Sequence, residues 1–387
     1  MEWHFLDHAA GSPARPEVVA AMVPLLDEGY GNPSGGHALA RRARAELDDA
    51  RERLAAVVGC RPGEVVFTSG GTEADDLAIR GTLDGRSGTV VCSAVEHAAV
   101  LQPVARAGGR TVAVDGRGRV DLDALTAALD PDVALVSVIL VNNEVGAIQR
   151  LAEVAEVLRS AAPGAVLHTD ASQALSWIDV AEHAAPADLV SLASHKCGGP
   201  KGVGALVVRG GAAVQAQVVG GGQERGRRAG TPNVAGAVGF AVAAELAAAE
   251  RDALTARSAR WRAELVGAVL AQVTGAVDTA APAGSGTDHL APGIVHLCLP
   301  EVDSEALLFL LEQDHRVLGA AGSSCSSGAT TVSGVPLAMG VGPDLARGAV
   351  RLSFGWSTTD ADVAAAVAGL PEAAARLRAH ARDGAPA

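Results

Sequence analysis

The sequence predicts an α/β protein, with a large domain on a mostly parallel sheet and a smaller α+β domain after it. Three observations point there. Seven short runs rich in Val, Leu, Ile and Ala recur between residues 64 and 209, with helical patterns between most of them. The runs are continuously apolar rather than alternating, as in strands covered on both faces. A long helical pattern over 232–270 then separates this region from a second set of strand and helix signals.

The elements follow in order. Residues 36–58 read as an amphipathic helix with Leu39, Ala43, Leu47, Ala50, Leu54 and Val57 on one face and Gly59 as its stop. The expected strands are EVVFTS (64–69), TVVCSAV (89–95), RTVAVD (110–115), VALVSVILV (133–141), AVLHTD (165–170), ADLVSLAS (187–194) and GALVVR (204–209). Helices between them include DLDALTAALD (121–130) and RLAEVAEVLRSAA (150–162). Strands alternating with helices build a parallel sheet. A Gly-Pro turn joins the last two strands, so one of them can run antiparallel. The 232–270 helix is expected to connect two domains. A loop follows at 279–288, then the strand GIVHLCLP, the helix DSEALLFLLEQD with Asp303 as N-cap, a Gly/Ser loop at 319–334 and the strand AVRLSFG. The tail ARLRAHARDGAPA is expected to fray.

At 387 residues the chain is long enough for more than one domain. With 49% apolar and only 3% aromatic residues, its core must be packed from Val, Leu and Ala. A net charge of -13 excludes nucleic acid as the main partner, since phosphate contacts need a basic face. The five cysteines (Cys60, Cys92, Cys197, Cys298 and Cys325) are odd in number and show no CxxC spacing. They imply free thiols in a reducing compartment and no metal site. The opening MEWHFLDHAAGSP has no basic stretch followed by an apolar one, and charges or glycines interrupt the alanine-rich segments. A cytoplasmic protein without a membrane span is expected.

Lys196 and Lys201 are the only two lysines, and both lie in SLASHKCGGPKGVGAL. Arginine stays protonated, whereas a desolvated lysine can lose its proton and attack a carbonyl. Ligands of open α/β sheets bind beyond the carboxyl ends of the strands, so polar residues there matter. Gly70, Gly71 and Thr72 lead from a strand into a helix whose free N–H groups suit an anion. Glu96 and His97 follow the next such strand, and later strand ends carry Asn142, Asn143 and Glu144, then Asp170 and Gln173, then His195 and Lys196. The combination matches the needs of pyridoxal phosphate (PLP): a lysine for the aldehyde, a carboxylate for the pyridinium nitrogen, a helix start for the phosphate and a flat partner for the ring. Lys196 ends a strand and Lys201 sits in the turn after it; either could supply the amine.

The chain resembles the cysteine desulfurases of the class V aminotransferase group, PLP enzymes of fold type I. The resemblance runs from FLDHAAGSP to VRLSFG through TSGGTEADDLAI, EHAAV, VNNEVGAIQ, HTDASQ, SHKCGGPKGVGAL, GGGQERGRRAGTPN and GSSCSSG. It implies a large PLP-binding domain over 15–255 and a small domain formed by 1–14 and 256–387. It implies that Lys196 forms the imine, Asp170 pairs with the pyridinium nitrogen, Gln173 contacts the ring oxygen and His97 stacks on the ring and assists proton transfers. It implies further that Gly71, Thr72 and His195 hold the phosphate, that Asn143 contacts cofactor and substrate, and that Arg351 grips the substrate carboxylate. Thr231 matches a threonine that reaches the phosphate of a neighbouring subunit, which implies a homodimer. The resemblance also makes Cys325 the thiol that takes sulfur from L-cysteine, leaving alanine and a persulfide for an acceptor: a scaffold, a carrier or a thiolation enzyme. Its loop length resembles the class that donates to acceptors directly, with iron–sulfur assembly one of several possible destinations.

Two features depart from the family. The phosphate-binding serine of the lysine motif is Ala193 here, and Ser194 sits on the opposite face of the strand. One phosphate hydrogen bond is therefore missing or supplied otherwise. The C-terminal segment is also short, which puts docking of an iron–sulfur scaffold in question. Cys92 and Cys298 lie in apolar runs, Cys60 near a helix end, and the Cys197 side chain is expected to point away from the site. The rival reading is a class V relative that does not use Cys325, such as a selenocysteine lyase or an aminotransferase.

Overall fold

The computed structural model describes residues 3–282, 286–322 and 332–383. The chain opens with β1 (His4–Phe5), α1 (Pro16–Asp27) and α2 (Ala38–Val58). Next come β2 (Val65–Thr68), α3 (Gly71–Gly85), β3 (Thr89–Ser93), α4 (Ala98–Arg106), β4 (Arg110–Val112) and α5 (Leu122–Ala128). They are followed by β5 (Val133–Ser137), α6 (Leu151–Ala161), β6 (Val166–Asp170), α7 (Val180–His183), β7 (Leu189–Ala193) and β8 (Gly204–Val208). After α8 (Val234–Gln272) come β9 (Val277–Asp278), β10 (Ile294–Cys298), α9 (Ser304–His315) and β11 (Val317–Leu318). The last elements are α10 (Gly334–Ala338), α11 (Pro343–Ala346), β12 (Ala349–Ser353) and α12 (Asp360–Asp383).

Strands β2 to β8 form the expected seven-stranded sheet, in the order β2-β8-β7-β6-β5-β3-β4. Only β8 runs against its neighbours, antiparallel to both β2 and β7, as the Gly-Pro turn allowed. Alternate side chains feed opposite cores, the period of two that a strand imposes. Val66, Val90, Cys92 and Leu206 pack with Leu77, Ile79 and Val104 beneath α3 and α4. Val65, Phe67, Val91 and Val207 pack with Leu47, Leu54, Val154 and Phe240 on the other face. The strand order turns back on itself between β3 and β5, the position where open α/β sheets leave a crevice for ligands.

Beyond this sheet, β9, β10 and β12 form a three-stranded antiparallel sheet in which His296 lies opposite Arg351. The strands β1 and β11 pair in parallel beside it. The 39-residue helix α8 contributes to two cores. Its first half puts Val238, Phe240 and Ala244 under the large sheet, while Trp261, Leu265 and Val269 join Leu6, Leu297 and Phe354. A buried Arg262–Asp278 pair at 2.8 and 2.6 Å fastens its second half to β9.

Gly59 ends α2 with φ 66°, the left-handed cap read from the sequence, and Asp303 caps α9 through the N–H groups of Glu305 and Ala306. Two expectations need correction. The buried face of α2 runs through Ala40, Ala43, Leu47, Ala50, Leu54 and Val58, whereas Leu39 is exposed and Val57 only half-buried. Of the tail expected to fray, residues 375–383 are helical, held by Arg376 on Asp314 and by Arg378 on the carbonyls of Pro300 and Thr274, and 384–387 lie outside the described residues. Among the described residues no helix is long and apolar enough to cross a membrane.

Candidate active site

A cavity of about 400 Å³ opens beyond the carboxyl ends of β3, β5, β6 and β7. Gly71, Thr72, His97, Asn143, Asp170, Gln173, His195, Lys196 and Arg351 all line it. Nine positions spread over 281 residues of sequence, from 71 to 351, thus face one space. Lys201 lies outside the cavity and is exposed in the turn. Thr231 is exposed too and belongs to a separate depression. Cys325 lies outside the described residues.

The Lys196 ammonium donates to the carbonyls of Ala9 (2.6 Å) and Ala10 (3.0 Å), and Gln173 Nε2 donates to the Ala9 carbonyl at 2.7 Å. These two groups, from the end of β7 and the turn after β6, are set against one N-terminal turn. Asp170 ends β6, and its Oδ1 accepts from the backbone of Ser172 at 2.8 Å. His97 caps α4, its Nδ1 accepting from Ala99 N at 3.1 Å, so the neutral ring carries its hydrogen on Nε2. Burial, aided by the Lys196 charge, lowers the His97 pKa, and the same cause with both lysine charges brings His195 to about 4. Both imidazoles are neutral near pH 7.

Arg351 is 1% exposed; its Nη2 donates to Asp7 Oδ1 at 2.7 Å and its Nη1 to the Asn143 carbonyl at 3.0 Å. Behind Asp170 sit two further buried acids. Burial, with the charge of Asp170 adding to it, holds Asp75 well above the usual carboxylate range. Burial also brings Glu96 up to about 8, although its Oε1 accepts from Ser93 Oγ (2.5 Å) and Ile139 N (2.6 Å). Glu144, raised by burial, accepts from Ser333 Oγ at 2.6 Å.

Asp75 and Ser172 line the cavity without having been read as site residues. Asp75 had a signal: it is an acid on the apolar face of α3, between Ala74 and Ala78. Ser172 was visible only as a residue between two strand-end candidates. The Ala9 and Ala10 carbonyls carry no side-chain signal at all.

No described cysteine lines the cavity. Burial pushes Cys60 up to about 11 and Cys197 to about 12, and raises Cys92 and Cys298 as well. The Cys197 thiol donates to the Ser194 carbonyl at 3.2 Å, away from the cavity as expected. Thiols held protonated in this way are poor nucleophiles.

The residues present fit PLP. A helix start without a side-chain cap (Gly70, Gly71), an amine, a strand-end carboxylate and a neutral imidazole face one cavity, the donor set that its phosphate, aldehyde, ring nitrogen and ring face require. The chain belongs to the aminotransferase class-V family, whose sequence profile matches residues 4–365. Within it, the chain is similar to a cysteine desulfurase of Gluconacetobacter diazotrophicus, 38% identical in a 383-residue alignment that covers 97% of this chain and 94% of that protein. In structure it is similar to a NifS-like protein with a TM-score of 0.87 and 30% identity, covering 96% of this chain and 99% of that one. It is also similar to SspA in complex with cysteine, at a TM-score of 0.77 and 27% identity over 90% of this chain and 98% of that one.

Proposed function

We propose that this chain is a PLP-dependent L-cysteine desulfurase that transfers the substrate's sulfur to Cys325. The observation that carries this reading is the convergence of Lys196, Asp170, Gln173, His97 and Arg351 on one cavity. Lys196, whose amine here bonds the Ala9 and Ala10 carbonyls, would hold the cofactor. Asp170 would pair with the ring nitrogen, Gln173 with the ring oxygen, and His97 would cover the ring face. Gly71, Thr72 and His195 seat the phosphate. PLP supplies an electron sink for chemistry at the substrate Cα, which weakens the hold on its sulfur.

Asn143 and Arg351 orient the substrate, with the guanidinium fork matched to its carboxylate. His97, neutral through burial, offers its Nε2–H to the cavity as a donor, and it accepts a proton at Nε2 only in the other tautomer, which gives up the bond from Ala99 N. The Cys325 thiolate attacks the substrate sulfur; the C–S bond breaks as the S–S bond forms, so L-cysteine and the thiol become L-alanine and a persulfide. The sulfur then passes to an acceptor protein. Elimination supports Cys325, since burial holds the four described thiols protonated.

The working unit is a homodimer in the cytoplasm. Val19, Val23 and Leu26 of α1 leave an apolar stripe exposed, and Tyr30 beyond it is 75% exposed, features that suit a second copy. The exposed Thr231 is free to reach that copy's phosphate site. The same reading divides the chain near residue 255, with residues 1–14 joining the smaller domain.

The test is Cys325→Ser. L-cysteine should still change the cofactor's absorbance in this variant, while alanine release and the added sulfur on the Cys325 peptide should both disappear. Alanine formed at a near-normal rate would favour a class V enzyme that does not use this thiol.

A further inference from the structure

The first turn of α3 faces the cavity through Gly71 and Thr72, and its N-cap, Gly70, provides no side-chain cap. Such a helix start suits an anion. Three side-chain positions meet beside it. A Cβ placed on Gly71 would lie 2.7 Å from Ser172 Oγ and 3.3 Å from the Ala193 methyl. Ser172 arrives there because Asp170 Oδ1 accepts its backbone N–H at 2.8 Å, an Asx-type turn that bends the chain straight after β6. Ser172 is half-buried and lines the cavity, and its hydroxyl makes no hydrogen bond to another described residue. Ala193 offers no donor. The neighbouring Ser194 hydroxyl is buried against Gly199, outside the cavity, so it cannot serve.

We infer that Ser172 is a phosphate ligand of the cofactor, its Oγ–H donating to a phosphate oxygen seated on the first turn of α3. The assignment rests on PLP being the cofactor. Gly71 is then required as glycine, because any side chain would occupy the space between the hydroxyl and the helix start. Asp170 acts at both ends of the ring: it faces the pyridinium nitrogen with its carboxylate, and through its turn it sets the hydroxyl that grips the phosphate.

Equilibrium binding to the cofactor-free protein tests this, with PLP and pyridoxal as probes and absorbance as the readout. Pyridoxal has the aldehyde and ring but no phosphate. Ser172→Ala should weaken PLP binding roughly ten- to a hundred-fold, as expected for one hydrogen bond to a charged group, and leave pyridoxal binding unchanged. Ser172→Thr should keep most of the PLP affinity. Adding Ala193→Ser to Ser172→Ala should restore much of it, since the new hydroxyl would sit at the same point. PLP affinity within two-fold of wild type in Ser172→Ala, or equal weakening of PLP and pyridoxal, would overturn the assignment. Wild-type protein that bound neither aldehyde would overturn the cofactor reading and the assignment with it.

Discussion

Glu96→Gln is expected to change how stability depends on pH. The Glu96 carboxyl lines the active cavity, yet burial raises it from an ordinary 4.5 to about 8. Below pH 4.5 both the folded and unfolded chains hold this proton. Between 4.5 and 8 the unfolded chain releases it and the folded protein does not, so this group makes stability fall as pH rises. At about 1.4 kcal/mol per unit, the full window amounts to about 5 kcal/mol, an order-of-magnitude figure. Glutamine keeps a carbonyl oxygen for Ser93 Oγ and Ile139 N but has no proton to lose. Relative to wild type, Glu96→Gln should therefore gain stability steadily from pH 5 to pH 8 and level off above. His8, His168 and His195, held near 4, and His296, near 3, act with the opposite sign. Their contribution is present above pH 6.5 and lost as pH falls through the folded values. They are common to both proteins and cancel in the difference. Urea unfolding of both holoenzymes at half-unit pH steps measures that difference. A difference that stayed flat from pH 5 to pH 9 would mean Glu96 ionises normally in the folded protein, and the reasoning from its burial would be wrong.

Two further outcomes are expected. Lys196→Ala should abolish the cofactor's colour and all turnover, while Lys201→Ala, in the exposed turn, should leave both largely intact; purified-protein spectra decide, and the reverse pattern would exchange the two roles. Arg351→Lys keeps the charge beside Asp7 but loses the fork, so the KM for L-cysteine should rise roughly ten-fold or more with the cofactor spectrum unchanged, as steady-state kinetics would show.

Most of the sheet was legible because its strands are buried on both faces and bounded by helical patterns, so neither length nor period was ambiguous. The candidate site was legible for the same reason: in this topology the strands' carboxyl ends border one crevice, and Asp170, His97 and Lys196 line it, although Asn142 turns away to bond the Val95 carbonyl. The face of α2 was misassigned at both ends because alanines and valines sit on adjacent positions. With Leu39 beside Ala40 and Val57 beside Val58, only the packing partner decides which is covered. Asp75 was missed because one acid among the neighbouring acids of GTEADD reads as part of a solvated charged face. Its burial depends on α3 lying against β7 and β8, which no local pattern reveals.

The N-terminal turn is the part of the site that sequence reading reaches least, and it carries much of the positioning. Asp7 accepts from Arg351, and the Ala9 carbonyl accepts from both Lys196 and Gln173. Ser12 bonds the Lys196 carbonyl at 3.3 Å, and the Ser353 hydroxyl on β12 accepts from Ala9 N at 2.8 Å. A stretch of six residues, 7–12, therefore measures the end of β7 against β12, which belong to different sheets. In the proposed roles, the amine that holds the cofactor and the guanidinium that holds the substrate are referenced to the same backbone. A shift of this turn would move the two together and alter their distance from Asp170, which is fixed in β6. Apart from Asp7, which is paired with Arg351, the turn works through backbone carbonyls and hydroxyls, groups that hold geometry without adding a charge to a cavity already lined by buried acids.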